Sequence, residues 1–229
     1  MSSKTKVLFV LTSAKQGWYL PEFAHPYQVL EKHIEVTIAS PLGHSVVDPI
    51  SVRLFKDDAY CQEFFATKKD LWTSTALLSS YAGRASEFDM IFIVGGFGPM
   101  WDLATDETSI GLIKDFYEAG KYVVGLCHGA AAFVNVKLSD GSYLLKGHPV
   151  TGFSDLEEEQ AIATKVAPDG IPFDLQKQLN ERSGGLYEKN PEAWQPHVVV
   201  ATPKLIFGQN PNSAHPLSVK VLEILQGKS

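Results

Sequence analysis

The chain has 229 residues, of which 45% are hydrophobic and 20% charged, so it can bury a large core and is not an intrinsically disordered protein. Its formal net charge of -6 and the lack of any block of Lys or Arg remove the electrostatic reason to bind a polyanion, and no nucleic-acid partner is expected. The amino-terminal apolar run, 7–11, is far shorter than the roughly 18 residues that cross a bilayer, so no membrane partner is expected either.

Six short apolar runs, bounded by Gly, Pro or charged residues and often β-branched, predict buried strands. They lie at 7–11, 36–38, 90–94, 122–126, 198–201 and 205–207. Helix-compatible segments lie between or after them, at 26–32, 109–119, 129–134 and 216–226. This alternation predicts an α/β fold with a mostly parallel central sheet and helices on both faces.

The length favours a single domain over residues 1–229. Within it, the segment 41–84 is less periodic and carries clustered charges and aromatic residues, so it is predicted as an insertion that caps a pocket or forms an interface. Residues 167–196 are rich in Pro, Gly and polar side chains and are expected to wrap the sheet edge or the mouth of the active site.

The two cysteines, Cys61 and Cys127, lie in different contexts, and nothing else in the sequence indicates a secreted disulfide scaffold. Both are therefore predicted to be free thiols in a reducing compartment. We expect the protein in the cytoplasm, with the nucleus as a second location. Cys61 has no motif around it, and its predicted role is plain packing.

Cys127 stands between a predicted strand and a small-residue helix, in the sequence YVVGLCHGAAAF of residues 122–133. Gly125 and Gly129 flank it two positions away on either side, which is the G-x-nucleophile-x-G pattern of a nucleophile elbow. Such a turn strains the backbone and needs neighbours without a Cβ. It also puts the sulfur at a helix amino terminus, which is expected to lower the thiol pKa. The alternative is a small buried hydrophobic residue.

His128 follows the sulfur directly, and an imidazole can accept or donate a proton, so it is the candidate base. A third group should orient its ring, and the acidic run that follows Ser154 is the best source. Asp155, Glu157 and Glu158 all remain candidates. A solvated charged helix start is an equally good interpretation of this run.

A glycine-rich loop, VGGFGP at 94–99, ends the predicted strand before it. Its backbone N–H groups can line an oxyanion pocket around Gly96. The loop lacks the G-x-G-x-x-G frame and no Walker lysine follows, so no nucleotide cofactor is implied.

Glu22 lies just past the first strand, and ligands of open α/β sheets bind at the carboxyl ends of strands. Glu22, Gly96 and Cys127 are thus expected on one edge, although a surface cap is the favoured interpretation of Glu22 taken alone.

Five motifs, in order along nearly the whole chain, resemble the ThiJ/PfpI superfamily, and within it the fungal-type glutathione-independent glyoxalases, also described as heat-inducible holding chaperones. The motifs are Glu22 with His25-Pro26, the GGFG loop, GLCHGAAAF, GHPVTGFSD at 147–155 and GQNPNS at 208–213. The resemblance implies a flavodoxin-like sandwich that forms a homodimer. It also implies a small dicarbonyl substrate, methylglyoxal or glyoxal, with methylglyoxal and water converted to D-lactate without glutathione, another cofactor or a metal.

By matching motifs, the resemblance gives Cys127 the nucleophile role, His128 the role of adjacent base and Glu158 that of third member. Glu22 matches the carboxylate that lies against the sulfur. Gly96, Phe97 and Gly129 are expected to form the substrate pocket. One departure is Phe97, where relatives often carry His, which makes the loop more apolar and bears on substrate preference.

The resemblance supports a mechanism in which Cys127 attacks the aldehyde to form a hemithioacetal, and Glu22 and His128 move protons through an enediol to a thioester.

Two other functions remain: a stress-induced holding chaperone or protein-binding module with weak or no dicarbonyl activity, and a cysteine peptidase or amidase. The set of Cys127, His128 and Glu22 favours an enzyme, because binding alone needs none of these groups. A chaperone would need an exposed apolar patch, and a peptidase a longer cleft.

Overall fold

The computed structural model describes residues 4–227, so the ends of the predicted domain 1–229 lie outside the described residues. Seven strands form one sheet. They are β1 (Thr5–Val10), β2 (Ile34–Ser40), β3 (Ala76–Leu77), β4 (Met90–Ile93), β5 (Tyr122–Leu126), β6 (Val198–Thr202) and β7 (Leu205–Gly208). All six predicted strands are present. The unpredicted strand, β3, is too short to show an alternating pattern.

Within residues 4–227, eight α-helices accompany the strands. They are α1 (Leu20–Leu30), α2 (Pro49–Leu54), α3 (Ala59–Thr67), α4 (Asp70–Thr73), α5 (Glu107–Glu118), α6 (Asp155–Ala163), α7 (Leu175–Ser183) and α8 (Ala214–Leu225). The helix predicted at 26–32 begins earlier, at Leu20, and Pro21 takes the first-turn position that suits proline. Pro26 therefore lies in the interior of the helix. The helix predicted at 129–134 is a 3-10 segment, Cys127–Phe133.

The strand order is β3-β2-β1-β4-β5-β7-β6, and only β6 is antiparallel to its neighbour. Without the edge strands β3 and β6, the order is that of flavodoxin-like proteins. The β1-to-β2 and β4-to-β5 connections run in opposite directions along the sheet, and right-handed crossovers then place α1 and α5 on opposite faces. The predicted mostly parallel α/β sandwich is confirmed.

The strand order reverses between β1 and β4, which are paired in parallel from Val7 with Met90 to Val10 with Ile93. Ligands of such sheets bind where the order reverses, beyond the carboxyl ends of the strands. The chain leaves β1 towards α1, β4 towards the glycine loop and β5 towards Cys127. Three predicted site segments therefore meet at this edge.

Residues 41–84 form α2, α3, α4 and β3 with short 3-10 turns. Phe64 and Trp72 from this segment are buried and pack with Trp18 and Phe23. The ring centroids lie 5.3 Å apart for Phe23 and Phe64 and 5.2 Å apart for Trp18 and Trp72. The segment thus contributes to the hydrophobic core. Its role as a cap or interface stays a prediction.

Between residues 4 and 227, no helix combines the length and the apolar character that crossing a membrane requires.

Candidate active site

Cys127 directly follows β5 in a left-handed backbone conformation, with φ 56°, which side chains other than glycine rarely adopt. Its flanking glycines are needed for space. A Cβ on Gly125 would lie 2.8 Å from the ring of Phe133, and a Cβ on Gly129 would lie 2.8 Å from the carbonyl oxygen of Ile93. The backbone therefore makes the strained strand-to-helix turn that the motif predicts, with the sulfur at the sheet edge.

Cys127, His128 and Glu158 form a hydrogen-bonded chain. The Sγ atom of Cys127 lies 3.5 Å from Nδ1 of His128, and Nε2 of His128 lies 2.8 Å from a carboxylate oxygen of Glu158. In a neutral imidazole, the nitrogen facing the carboxylate carries the hydrogen. The Nδ1 lone pair then points to the sulfur and can accept the thiol proton.

The imidazole of His128 is buried and packs against two aromatic rings. Its centroid lies 4.5 Å from that of Phe97 and 4.3 Å from that of Phe153. Only 1% of His128 is exposed. The two phenyl rings hold the imidazole in place and exclude water from it, which strengthens its interactions with the sulfur and the carboxylate.

The acidic run lies at the start of α6, and its three candidate carboxylates have different partners. Glu158 bonds to His128. The side chain of Glu157 forms a capping box with Ser154 and is fully buried. Asp155 lies near Asp174, and burial followed by the charge of Asp174 raises its pKa to about 6. Glu158 is thus the one of the three that reaches the imidazole.

Glu22 lies in the first turn of α1 and is completely buried. A Cβ added to Gly95 would collide with a carboxyl oxygen of Glu22 and lie 2.9 Å from the Cβ of Cys127. The absent side chain of Gly95 therefore opens the space in which the carboxyl group and the sulfur approach each other. Among residues 4–227, neither carboxyl oxygen of Glu22 has a hydrogen-bond partner of normal geometry.

Burial raises the pKa of the Glu22 carboxyl well above its ordinary value. Burial also raises the pKa of the Cys127 thiol. The predicted lowering of the thiol pKa is therefore wrong, because the cost of stripping water from a thiolate outweighs the favourable helix terminus. The group beside the sulfur that can accept its proton is the imidazole of His128, whose Nδ1 lies 3.5 Å away.

The residues converge on a small pocket with an empty volume of about 260 Å³. Its walls carry Tyr19, Glu22, Gly96, Phe97, Cys127, His128, Phe153, Ala161, Val166, Trp194 and Pro211. Glu158 lies behind His128. Gly129 packs against Ile93, and within residues 4–227 it is not part of this lining, which corrects its expected pocket role. The reason is that the turn after the sulfur directs Gly129 beneath the site.

Sequence reasoning missed the aromatic walls Tyr19, Phe153 and Trp194. Phe153 lies within the motif GHPVTGFSD and Tyr19 lies three positions before Glu22, but nothing local shows where their rings point. Trp194 comes from the segment expected at the active-site mouth, and it has an unusual φ of 65°. The backbone N–H of Trp194 donates to a carboxylate oxygen of Glu157 at 2.9 Å.

This chain is similar in sequence to known proteins over most of its length. The sequence model of the DJ-1/PfpI family matches residues 5–170. Glyoxalase 3 of Candida albicans is 28% identical over 91% of this chain and 93% of its own. The glutathione-independent glyoxalase HSP31 of Saccharomyces cerevisiae is 24% identical over 96% of this chain and 98% of its own.

Two solved structures are similar to this chain over nearly its whole length. The crystal structure of Candida albicans glyoxalase III superposes with a TM-score of 0.84 at 26% identity, over 96% of this chain and 97% of that one. The Rapid Encystment Protein of 24 kDa from Francisella tularensis superposes with a TM-score of 0.85 at 32% identity, over 96% of this chain and 99% of that one.

Proposed function

Since this chain belongs to the DJ-1/PfpI family, we propose that it is a glutathione-independent glyoxalase that converts methylglyoxal and water to D-lactate. Relatives that span nearly the whole chain are named as glyoxalases. The observation that carries the proposal is the Cys127 sulfur, 3.5 Å from an imidazole nitrogen in a small aromatic pocket.

The first step forms a hemithioacetal. As the thiol proton passes to Nδ1 of His128, the sulfur attacks the aldehyde carbon and a C–S bond forms. The carboxylate of Glu158, 2.8 Å from Nε2, stabilises the resulting imidazolium. The aldehyde oxygen takes a proton from the Glu22 carboxylic acid, which its raised pKa keeps protonated.

The second step moves a hydrogen between the two carbons. Glu22, now a carboxylate, removes the proton from the sulfur-bearing carbon while the imidazolium of His128 protonates the ketone oxygen, which gives an enediol. Glu22 then returns its proton to the neighbouring carbon, and the hydroxyl on the sulfur-bearing carbon gives its proton to His128 and becomes the thioester carbonyl. The former aldehyde carbon is thereby oxidised to a thioester while the ketone is reduced to an alcohol, so no external oxidant is needed. Water then cleaves the C–S bond, releasing lactate and restoring the thiol.

The walls of the pocket favour a small dicarbonyl over a peptide. Aromatic and apolar side chains form most of the pocket lining. The rings of Phe97, Phe153 and Trp194 close its sides. A peptidase would need an extended groove at the sulfur, and the enclosed site supports the glyoxalase instead.

The test measures D-lactate formation from methylglyoxal, without glutathione and with a chelator present. We expect the wild type to produce D-lactate and Cys127→Ala to produce none. Glu22→Gln should lose at least about 10²-fold in kcat, the range for loss of a general acid–base group.

Glu159→Gln is the matched control, because Glu159 is an exposed carboxylate one position from Glu158, and its activity should equal that of the wild type. No D-lactate from folded wild type with reduced Cys127 would refute the proposal. Unchanged turnover in Glu22→Gln would refute the proton-transfer role of Glu22 alone.

A further inference from the structure

Three potential metal ligands meet outside the pocket, between α1 and α3. His25 lies in α1, Asp58 caps α3, and Cys61 is in the first turn of α3. Nε2 of His25 is 2.8 Å from a carboxylate oxygen of Asp58 and 3.5 Å from Sγ of Cys61. The three ligand atoms all lie within 4.8 Å of one another. We propose that this cluster binds one Zn²⁺ ion.

The cap of α3 leaves one carboxylate oxygen available. Oδ1 of Asp58 accepts the backbone N–H of Cys61 at 2.9 Å, which holds the carboxylate in a fixed orientation. Oδ2 is the atom that faces His25. The helix start thus presents an oxygen and a sulfur from the same turn toward the imidazole of the neighbouring helix.

The separations suit a tetrahedral zinc site. Typical Zn–N, Zn–O and Zn–S bonds put neighbouring ligand atoms about 3.4–3.6 Å apart. The nitrogen–sulfur distance of 3.5 Å already has this value. The nitrogen–oxygen distance of 2.8 Å must open by roughly half an ångström, which small rotations of His25 and Asp58 allow.

Access and chemistry also favour a borderline-soft cation. The His25 and Asp58 side chains are 18% and 27% exposed, whereas Cys61 is buried, so an ion enters from the imidazole and carboxylate side. The ion displaces the thiol proton to the solvent and forms a metal–sulfur bond. Thiolate with imidazole selects Zn²⁺ over Mg²⁺ or Ca²⁺.

Three protein ligands leave one position of the tetrahedron. Water or the exposed His215 of α8 can fill it, since the ring centroids of His25 and His215 are 6.5 Å apart. The bound ion would tie α3, from the 41–84 segment, to α1, the helix that also carries Glu22. The ion therefore has a structural role outside the reaction pocket.

The test uses Co²⁺ as a spectroscopic probe in the Cys127→Ala protein, in which Cys61 is the one remaining cysteine. We expect one equivalent of Co²⁺ to produce a thiolate-to-metal charge-transfer band and tetrahedral d–d absorption, and Zn²⁺ to displace it. Adding Cys61→Ser should abolish the charge-transfer band.

Asp58→Asn in the same protein keeps an amide that caps α3 as well as aspartate does but removes the anionic ligand. We expect its Zn²⁺ affinity, from competition with a chromophoric chelator, to fall at least about 100-fold, the upper end for loss of an outer-shell partner. Asp57→Asn, an exposed neighbour, should leave the affinity unchanged. Absence of the charge-transfer band in folded Cys127→Ala, its persistence after Cys61→Ser, or unchanged affinity in Asp58→Asn would overturn the proposal.

Discussion

At the scale of single residues, the pocket depends on the missing side chain of Gly95. A Cβ there would collide with a carboxyl oxygen of Glu22 and with the carbonyl oxygen of Leu126. Gly95→Ala should push Glu22 away from the sulfur, and a displacement of about 1 Å can cost about 10²-fold in rate. We expect a loss of that size in kcat for D-lactate formation, with the far-ultraviolet circular dichroism of the wild type.

The matched control is the same substitution in the middle of α5. Within residues 4–227, no atom lies within 4 Å of a Cβ built on Gly111, and alanine lowers the entropy cost of the helix. Gly111→Ala should raise the free energy of unfolding by about 0.5–1 kcal/mol and leave kcat unchanged. Equal kcat in the two alanine variants would contradict the steric argument at Gly95.

Glu157 and Glu158 are neighbours with separable roles. The Glu157 carboxylate accepts hydrogen bonds from Ser154, Trp194, Gln209 and Asn210 and so joins α6 to the loop that carries a pocket wall. Glutamine accepts fewer of these bonds and adds a competing donor. Glu157→Gln should therefore lower the free energy of unfolding by on the order of 3 kcal/mol.

Glu158→Gln should act on the reaction instead. It removes the negative charge that stabilises the imidazolium of His128, so we expect kcat to fall by about 10²-fold with little change in stability. Urea denaturation and steady-state kinetics on both variants measure the two effects. A stability loss in Glu158→Gln as large as that in Glu157→Gln would contradict this division.

At the scale of elements, α6 and α7 begin with facing carboxylates. Burial and the nearby charge of Asp174 raise the pKa of Asp155 from its ordinary 3.8 to about 6. Between these values the folded chain holds a proton that the unfolded chain releases. The contribution of Asp155 to the free energy of unfolding is thus fully present below pH 3.8 and is lost as the pH rises through about 6.

Asp155→Asn removes this loss. We expect the variant to be more stable than the wild type at pH 7.5, by less than about 1 kcal/mol because Asp155 is only partly buried and solvent screens its interaction with Asp174. The difference should shrink at pH 3.5, where the wild-type carboxyl is protonated. Denaturant titrations at the two pH values measure it, and a difference that grows on acidification would show the opposite sign of coupling.

At the scale of the whole molecule, the 41–84 segment and the sheet share one core. Phe64 stacks near Trp72 and packs against Phe23 of α1, so the segment has no separate hydrophobic interior. We expect tryptophan fluorescence and far-ultraviolet circular dichroism to report one coincident unfolding transition.

Phe64→Ala should shift both signals together and destabilise the fold by about 3–5 kcal/mol. The fluorescence signal is informative because Trp18 and Trp72 lie in the shared aromatic cluster, while Trp194 lies at the pocket. An early transition confined to fluorescence would instead indicate a segment that unfolds independently.

The sequence by itself determined the strands, the α/β class, the turn at Cys127 and the family resemblance, because hydrophobic periodicity and glycine spacing are local properties of the chain. The edge strand β3, the interior position of Pro26 and the helix α7 lacked such a signal. Each of them is stabilised by packing against distant segments, and their own residue pattern does not predict them.

Only the tertiary structure decided the details of the site. The family resemblance matched Glu158 to the third member but left Glu157 and Asp155 as alternatives, and the capping box of Ser154 with Glu157 turns Glu158 toward His128. The raised pKa of Cys127 depends on its burial beside Glu22, two residues far apart in the chain. Desolvation and side-chain direction arise from long-range packing, so a local pattern places the nucleophile but cannot set its pKa or select its partners.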